Sequence, residues 1–162
     1  MPDFWFDANS LICAQRGPYG FDIAPGFWDF LEQKGKEDII ASSIAVYKEL
    51  EEGGKDDLLV QWARKQKDNG FFIEPDLAVQ TIFRQIADYV SSSYPPYNAS
   101  EFLDNADPWL IAHAKVYGGI VVTFEVSAPN SKDPKIPNVG DKFGVLTLDL
   151  YQLLRELGVS LH

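Results

Sequence analysis

Four acidic residues stand where apolar segments of the sequence end or where helices begin: Asp7, Glu49, Asp107 and Glu125. An acid in such a position usually lies in a pocket rather than on an open face. Carboxylates that are brought together repel one another unless a cation lies between them. Mg²⁺ prefers oxygen ligands, and a pair of metal ions can activate water and stabilise the leaving oxygen of a phosphodiester. The pattern therefore indicates divalent-metal chemistry on a phosphate, provided that the four side chains converge.

Each of these acids also has a purely structural interpretation. Asp7 could cap a helix, and Glu49, with acidic neighbours on its C-terminal side, could belong to a solvated helix face. Asp107 could be a plain N-cap before a proline, and Glu125 could be a loop acid. The spacing of the acids does not by itself establish that they meet.

The acids lie in a chain of alternating strands and helices. Apolar runs predict strands at about 4–6, 38–41, 71–73, 120–124 and 145–148. Helical periodicity with capping or proline signals predicts helices near 11, 25–31, 44–50, 58–63, 77–90, from 107, and 150–157. A long loop is predicted to run to about residue 138. Such alternation predicts an α/β fold whose parallel sheet is covered on both faces, with ligands beyond the carboxyl ends of its strands.

The length and composition predict one domain, 1–162, with a sizeable core. Hydrophobic residues make up 46% of the chain and charged residues 23%, which is ordinary for a globular protein. No apolar stretch reaches the roughly 20 residues that span a bilayer, and no secretion signal begins the chain, so we expect a cytoplasmic protein. The lone Cys13 excludes an internal disulfide and a cysteine-based zinc cluster, and two histidines, His113 and His162, argue against a histidine-rich zinc site.

The net charge of -10 argues against nucleic-acid binding, which depends largely on Lys and Arg contacts with phosphates. Bound divalent ions would cancel part of that charge. Basic residues are also clustered locally, with Arg64, Lys65 and Lys67 in one group and Lys132 and Lys135 in another. The charge therefore leaves a nucleic-acid substrate open if the contacts are local.

Four segments resemble, in the same order, the motifs of PIN-domain nucleases. Residues 4–12 have the first motif: an apolar strand, Asp, a small residue, Asn or Ser, and an apolar pair. Residues 46–50 resemble the helix that carries the family's Glu, and residues 107–114 resemble its Asp-x-x-Ile-Ala-x-Ala helix. Residues 118–123 resemble the strand before the last acid. Each motif alone is weak, but the ordered set covers nearly the whole chain.

A bacterial and archaeal PIN-like branch is similar in more detail. The similarity lies in residues 25–28, in residues 106–114, and in residues 128–132 running on to 135–137. The chain departs from the toxin-type, VapC-like members of the family at one position. Those toxins often have Asp at the last strand, within Thr-Asn-Asp or Thr-x-Asp, whereas here Glu125 follows Thr123 and a phenylalanine. The longer side chain can still reach a metal, and the second metal position is the one that this departure affects.

The resemblance implies a three-layer α/β/α fold with a central parallel sheet of four to five strands. It implies a metal-dependent ribonuclease, the toxin of a bacterial or archaeal toxin–antitoxin pair. Its four acids, Asp7, Glu49, Asp107 and Glu125, would be both catalytic residues and ligands of Mg²⁺ or Mn²⁺. The expected partners are an RNA substrate, a cognate antitoxin protein and a second copy of the chain in a homodimer, with no membrane.

Five further residues are candidates for supporting roles. Asn9 could hydrogen-bond Asp7 or a water on the metal, and Thr123 could hold a carboxylate or phosphate oxygen. Asp104 is either an extra outer ligand or a capping acid. Lys132 and Lys135, in the loop after the last acid, either contact phosphates or are simply solvated.

Three alternatives compete with the toxin interpretation. The chain could be a non-catalytic PIN-like module that binds a protein partner, its acids being residual. It could instead be a DNA nuclease that uses the same site. A phosphatase on a similar sheet is disfavoured, because the sequence contains neither a Gly-rich phosphate loop nor a cysteine-based phosphatase motif.

Overall fold

A computed structural model describes residues 1–159; His162 and the two residues before it lie outside the described part. The strands are β1 (Phe4–Phe6), β2 (Ile40–Ser43), β3 (Phe72–Ile73), β4 (Ile120–Val122) and β5 (Thr147–Leu148). The helices are α1 (Ala8–Arg16), α2 (Pro25–Lys36), α3 (Ile44–Glu51), α4 (Leu58–Asp68), α5 (Leu77–Ser93), α6 (Pro96–Leu103), α7 (Asp107–Tyr117), α8 (Ile136–Lys142) and α9 (Leu150–Glu156).

The five strands form one parallel sheet in the order β3-β2-β1-β4-β5. Strand β1 is central. The next two strands along the chain, β2 and β3, lie on one side of it, and the last two, β4 and β5, lie on the other. The strand order therefore reverses between β1 and β4, and open α/β sheets bind ligands at such a point. Phe6 pairs with Val122 at the end of these two strands. Asp7 and Thr123 consequently lie side by side, just beyond the sheet.

The central strands are short apolar runs because helices cover both faces of the sheet. Every residue of β1 and β2 is buried, and Trp5 and Phe6 are completely inaccessible to solvent. Helices α5 and α7 pack against each other, and α7 also packs against β1, β2 and β4. Ile111, inside α7, is completely buried. The parallel α/β sheet predicted from the sequence is confirmed. Within residues 1–159 no helix is both long and apolar enough to cross a membrane.

Several element boundaries differ from those expected. The strand predicted at 38–41 lies at Ile40–Ser43, because Asp38 adopts a left-handed φ of 61° in the turn after α2. Helices α6 and α8 were not predicted, since the prolines near their starts suggested a break and a loop. In each helix a proline occupies the first turn, where no backbone N–H is needed for an internal hydrogen bond.

Candidate metal centre

The acids Asp7, Glu49, Asp107 and Glu125 line one cavity of about 310 Å³. It lies beyond the carboxyl ends of β1 and β4, where the strand order reverses. Its lining residues are Asp7, Ala8, Asn9, Ile12, Glu49, Asn105, Asp107 and Glu125. Residues from four separate parts of the chain therefore meet at the position that the sheet topology favours for a ligand.

Asp7 is the most rigidly held of the four acids. It directly follows β1, caps the N-terminus of α1, and its side chain is only 3% exposed. Its Oδ1 accepts a hydrogen bond of 2.7 Å from the backbone N–H of Ser10, and the hydroxyl groups of Ser10 and Thr123 lie close to the same carboxylate. Burial raises the pKa of Asp7 against the effect of these hydrogen bonds, and the charge of Glu125 raises it further.

Glu49 reaches the cavity from α3, which begins after β2 with Ser43 as its N-cap. Its Oε1 accepts a hydrogen bond of 2.7 Å from the backbone N–H of Ala106, the residue before α7. Burial raises the pKa of Glu49, and the charges of Glu52 and Asp7 add to the effect, while the bond from Ala106 opposes it. Glu49 thus joins α3 to the start of α7 inside the cavity.

Asp107 is the first residue of α7 and is half-buried in the cavity. Burial, followed by the charges of Glu125, Asp7 and Glu49, raises the pKa of Asp107 to about 8. Lys135 acts in the opposite direction but does not compensate. The cavity therefore contains more negative charge than the surrounding protein neutralises, and a bound cation would relieve the excess.

Glu125 follows β4 and is tied to the beginning of α8. Its Oε1 accepts a hydrogen bond of 3.0 Å from the backbone N–H of Ile136, and its Oε2 lies 4.0 Å from Nζ of Lys135. The backbone N–H of Glu125 donates to Oγ1 of Thr123 at 3.1 Å. Thr123 therefore contacts both Asp7 and Glu125, and so links the acids that follow the two central strands.

Only some of the supporting residues predicted from the sequence lie at the acidic cavity. Asn9 lines the cavity, and its side-chain oxygen accepts a hydrogen bond from the thiol of Cys13. Asp104 is exposed at the end of α6 and lines a separate groove beside α5 and α6 instead. Lys132 is exposed and is not among the lining residues.

The sequence analysis missed Asn105, which also lines the acidic cavity. Its position two residues before Asp107, where the chain enters α7, was the signal that could have indicated it.

The other basic cluster is engaged with its own surroundings. Arg64 forms an ion pair of 3.2 Å with Glu51, and Lys65 forms one of 3.3 Å with a glutamate of α2. The ammonium group of Lys67 lies 5.0 Å from the ring centre of Tyr47. These contacts are with residues that do not line the acidic cavity, whereas Lys135 contacts Glu125, which does.

The donor set suits a hard divalent cation. Carboxylate and amide oxygens are the preferred ligands of Mg²⁺ and Mn²⁺. Within the described residues, however, no three His, Cys, Asp or Glu side chains are close enough together to form a ready-made metal-ligand group. Glu49 and Glu125 each direct one oxygen to a backbone N–H. The residues present therefore fit such an ion by their chemistry.

The comparisons with solved structures show a PIN-like α/β fold. The structure of FitAB bound to an IR36 DNA fragment matches with a TM-score of 0.54 and 18% sequence identity, covering 90% of this chain and 94% of the other. VapBC2 from Rickettsia felis, bound to a DNA fragment from their promoter, matches with a TM-score of 0.52 and 16% identity, covering 92% of this chain and 98% of the other. At such identities the likeness establishes the fold alone.

The family is established by a match to residues 4–161, and the chain belongs to the family described as Domain of unknown function (DUF4411). No curated protein matches the chain.

Proposed function

We propose that the protein is a metal-dependent ribonuclease, the toxin of a toxin–antitoxin pair. One observation carries the proposal: the carboxylates of Asp7, Glu49, Asp107 and Glu125 line a single cavity where the strand order reverses. These four residues would hold Mg²⁺ or Mn²⁺. When bound, such an ion supplies Lewis acidity to a phosphodiester and activates water for attack.

The protein's own residues would orient the substrate and the ligands. The contacts from Ser10 and Thr123 fix the orientation of Asp7 before any ligand arrives, which lowers the cost of assembling the site. The side-chain amides of Asn9 and Asn105 line the same cavity and can donate hydrogen bonds to phosphate oxygens. The amides add donors without adding charge, so they do not compete with the cation.

The similar structures support a proposal about partners. Both are described as bound to DNA, and one of them is VapBC2 on a fragment from their promoter. We therefore propose that this chain assembles with a cognate antitoxin protein and that two copies of it form a homodimer in the cytoplasm. Pairing would also help an acidic chain, because a second copy can add basic side chains to a shared groove.

Cleavage of labelled single-stranded RNA tests the activity directly. The protein is stripped with chelator, then supplied with Mn²⁺ or Mg²⁺, and single-stranded and double-stranded DNA are run in parallel. Asp7→Asn and Asp107→Asn should lower the rate of RNA cleavage at least about 100-fold, since each removes a ligand charge while preserving shape. Asp88→Asn, an exposed position on α5, is the matched control. Equal cleavage by all four proteins would reject the ribonuclease, and cleavage of DNA alone would indicate a DNA nuclease on the same site.

A non-catalytic PIN-like module that binds a protein partner is the second candidate. It is favoured by the backbone hydrogen bonds that already satisfy one oxygen each of Glu49 and Glu125, and by the ion-pair contact of Glu125 with Lys135. Calorimetric titration with Mn²⁺ separates the two candidates. The ribonuclease requires Mn²⁺ binding that Asp107→Asn weakens, whereas the interaction module requires none.

A further inference from the structure

A second cavity adjoins the acidic one and shares two of its walls. It has a volume of about 270 Å³ and is lined by Ile12, Gln15, Arg16, Glu49, Leu50, Glu52, Gly53, Asp57 and Leu59. Ile12 and Glu49 line both cavities. A chain-like ligand that occupies the acidic cavity can therefore continue past these two residues into the second one.

One face of α1 runs along both cavities. Asn9 and Ile12 line the acidic cavity, and Ile12 and Arg16 line the second. These positions are three and four residues apart, so they lie on one side of the helix. Arg16 is seven positions after Asn9, which is about 10 Å along the helix axis. This face therefore leads from the acids to a cationic side chain two turns away.

Among the residues that the structure describes, Arg16 is the only basic one that lines either cavity. It is exposed, and within residues 1–159 its guanidinium forms no ion pair, although Glu49, Glu52 and Asp57 line the same cavity. One oxygen of Asp57 is already occupied by the backbone N–H of Leu59. A free guanidinium offers the planar, forked set of donors that suits phosphate oxygens.

A nuclease that cuts within a strand must also hold the nucleotides beside the bond that it breaks. Resting on the ribonuclease activity proposed above, we propose that the second cavity is a subsite for a neighbouring nucleotide and that Arg16 binds its phosphate. The acidic residues around Arg16 disfavour loosely placed phosphates, so the contact selects a strand that runs along α1. Arg16 is thus a substrate-binding residue rather than a metal ligand.

Arg16 also has an ordinary structural role that the test must separate. It lies in the last turn of α1, where a cation interacts favourably with the helix dipole. If Arg16 had this role alone, replacing it would lower the melting temperature slightly without altering KM or kcat. The measurement therefore has to compare substrates that differ only in whether a neighbouring phosphate is present.

The test uses the full chain with Arg16→Ala, Arg16→Lys and, as a matched control, Arg84→Ala, an exposed arginine on α5 that lines neither cavity. On an RNA oligonucleotide, Arg16→Ala should raise KM about tenfold with little change in kcat, the signature of lost uniform binding. Arg16→Lys should restore part of the affinity. The dependence of log affinity on log salt should flatten by about 0.7 for the single lost contact with a single strand. On a dinucleotide with one phosphodiester, Arg16→Ala and the parent should be equal.

Two results would overturn the subsite. One is an unchanged KM for Arg16→Ala on the oligonucleotide, and the other is an equal loss on the dinucleotide. RNA binding by fluorescence anisotropy, measured in the Asp107→Asn background, gives a readout that does not need cleavage. If the parent cuts no RNA with any metal, the ribonuclease proposal fails, while binding that depends on Arg16 still supports the subsite and independence from Arg16 overturns it.

Discussion

The carboxylate of Glu49 accepts a hydrogen bond of 2.7 Å from the backbone N–H of Ala106, 57 positions further along the chain. This bond satisfies a backbone donor at the start of α7 and holds an acid of α3 beside Asp107, the first residue of that helix. The hydrogen bond therefore stabilises the start of α7 and also keeps the negative charge of Glu49 beside that of Asp107. A cation that attracts Glu49 must compete with this backbone donor.

Substitutions at Glu49 should separate those two effects. Glu49→Gln keeps an oxygen that accepts the bond from Ala106 and removes a negative charge from a crowded cavity, where burial and neighbouring charges already raise the pKa of Glu49. We expect Glu49→Gln to be at least as stable as the parent in chelator. Glu49→Ala also loses the bond and should be less stable than Glu49→Gln by about 1 kcal/mol. Urea unfolding measures both, and equal stability of the two variants would show that the bond contributes nothing.

Mn²⁺ should raise the melting temperature of the parent protein. A ligand that binds only the folded state stabilises it by about 2.7 kcal/mol at 100 times its Kd, or roughly 5–10 °C for a chain of this size. Asp107→Asn should shrink the rise because it removes a candidate ligand charge, and Asp88→Asn should keep all of it. Scanning calorimetry across a Mn²⁺ series provides the measurement. A melting temperature that never moves would count against a metal site.

His113 should make the folded state sensitive to mild acid. Its ring stacks on Trp5 with centroids 4.7 Å apart, and within the described residues neither ring nitrogen has a hydrogen-bond partner. Burial lowers the pKa of His113 to about 4, although Asp76, which is hydrogen-bonded to Tyr117, opposes the shift. The unfolded chain, with a histidine pKa near 6.5, binds more protons between these values. Stability from this group is therefore complete above about pH 6.5 and is lost as the pH falls towards 4.

His113→Phe should remove that component of the pH dependence. Phenylalanine preserves an aromatic ring in the stack and carries no nitrogen that needs a partner. Between pH 7.5 and pH 4.5 the parent should lose about 2 kcal/mol more of its unfolding free energy than the variant. Carboxylates that titrate in the same range are present in both proteins, so they cancel in the comparison. Parallel pH profiles for the two proteins would mean that His113 does not control acid sensitivity.

Two glycines should respond oppositely to alanine. A Cβ at Gly119 would lie 2.8 Å from two ring atoms of the buried Trp5 and 3.1 Å from the carbonyl oxygen of Asp3. Gly119→Ala should therefore cost about 1–3 kcal/mol by overpacking. A Cβ at Gly26, within α2, would meet nothing within 4 Å, so Gly26→Ala should stabilise by about 0.5–1 kcal/mol. Urea unfolding of both variants measures these changes. An unchanged free energy of unfolding for Gly119→Ala would show that the ring of Trp5 can shift at little cost.

The acids that follow strands were the most predictable part of the site. Asp7 and Glu125 follow apolar runs, and parallel strands end at the same edge of a sheet, so the sequence and one topological rule bring the two residues together. The hydrogen bonds that hold the acids in place were harder to predict from the sequence. The donors from Ala106 and Ile136 come from helix beginnings distant in sequence, and no local pattern encodes that contact.

The loop after β4 shows why part of the prediction failed. Residues 126–138 are rich in Ser, Pro, Asn and Lys, a composition typical of a loop. Helix α8 nevertheless begins at Ile136, because this side chain and Val139 are fully buried in the core. Tertiary burial thus outweighs local propensity, and it is this helix that presents Lys135 to Glu125.

The paired replacement of Lys132 and Lys135 by alanine should weaken RNA binding. Lys135 lies 4.0 Å from Glu125 at the acidic cavity, and Lys132 is exposed on the same loop. If both ammonium groups contact phosphates of a single strand, the slope of log affinity against log salt should flatten by about 1.4, or 0.7 for each contact. Lys135→Ala alone should also tighten Mn²⁺ binding, because it removes a positive charge beside Glu125 that repels the cation.

A double variant at Lys55 and Arg84 provides the matched control, since both are exposed basic residues that line neither cavity. It removes the same net charge and should leave the salt slope nearly unchanged, because general charge repulsion alters affinity without removing a bound phosphate. Fluorescence anisotropy with labelled single-stranded RNA, in the Asp107→Asn background that keeps the strand intact, measures all three proteins. Equal slopes for the two double variants would assign the effect to net charge and exclude the loop as a phosphate-binding rim. A slope change confined to the Lys132 and Lys135 variant would instead identify direct contacts between these ammonium groups and phosphates. An acidic chain needs such contacts beside its carboxylates in order to bind a nucleic acid.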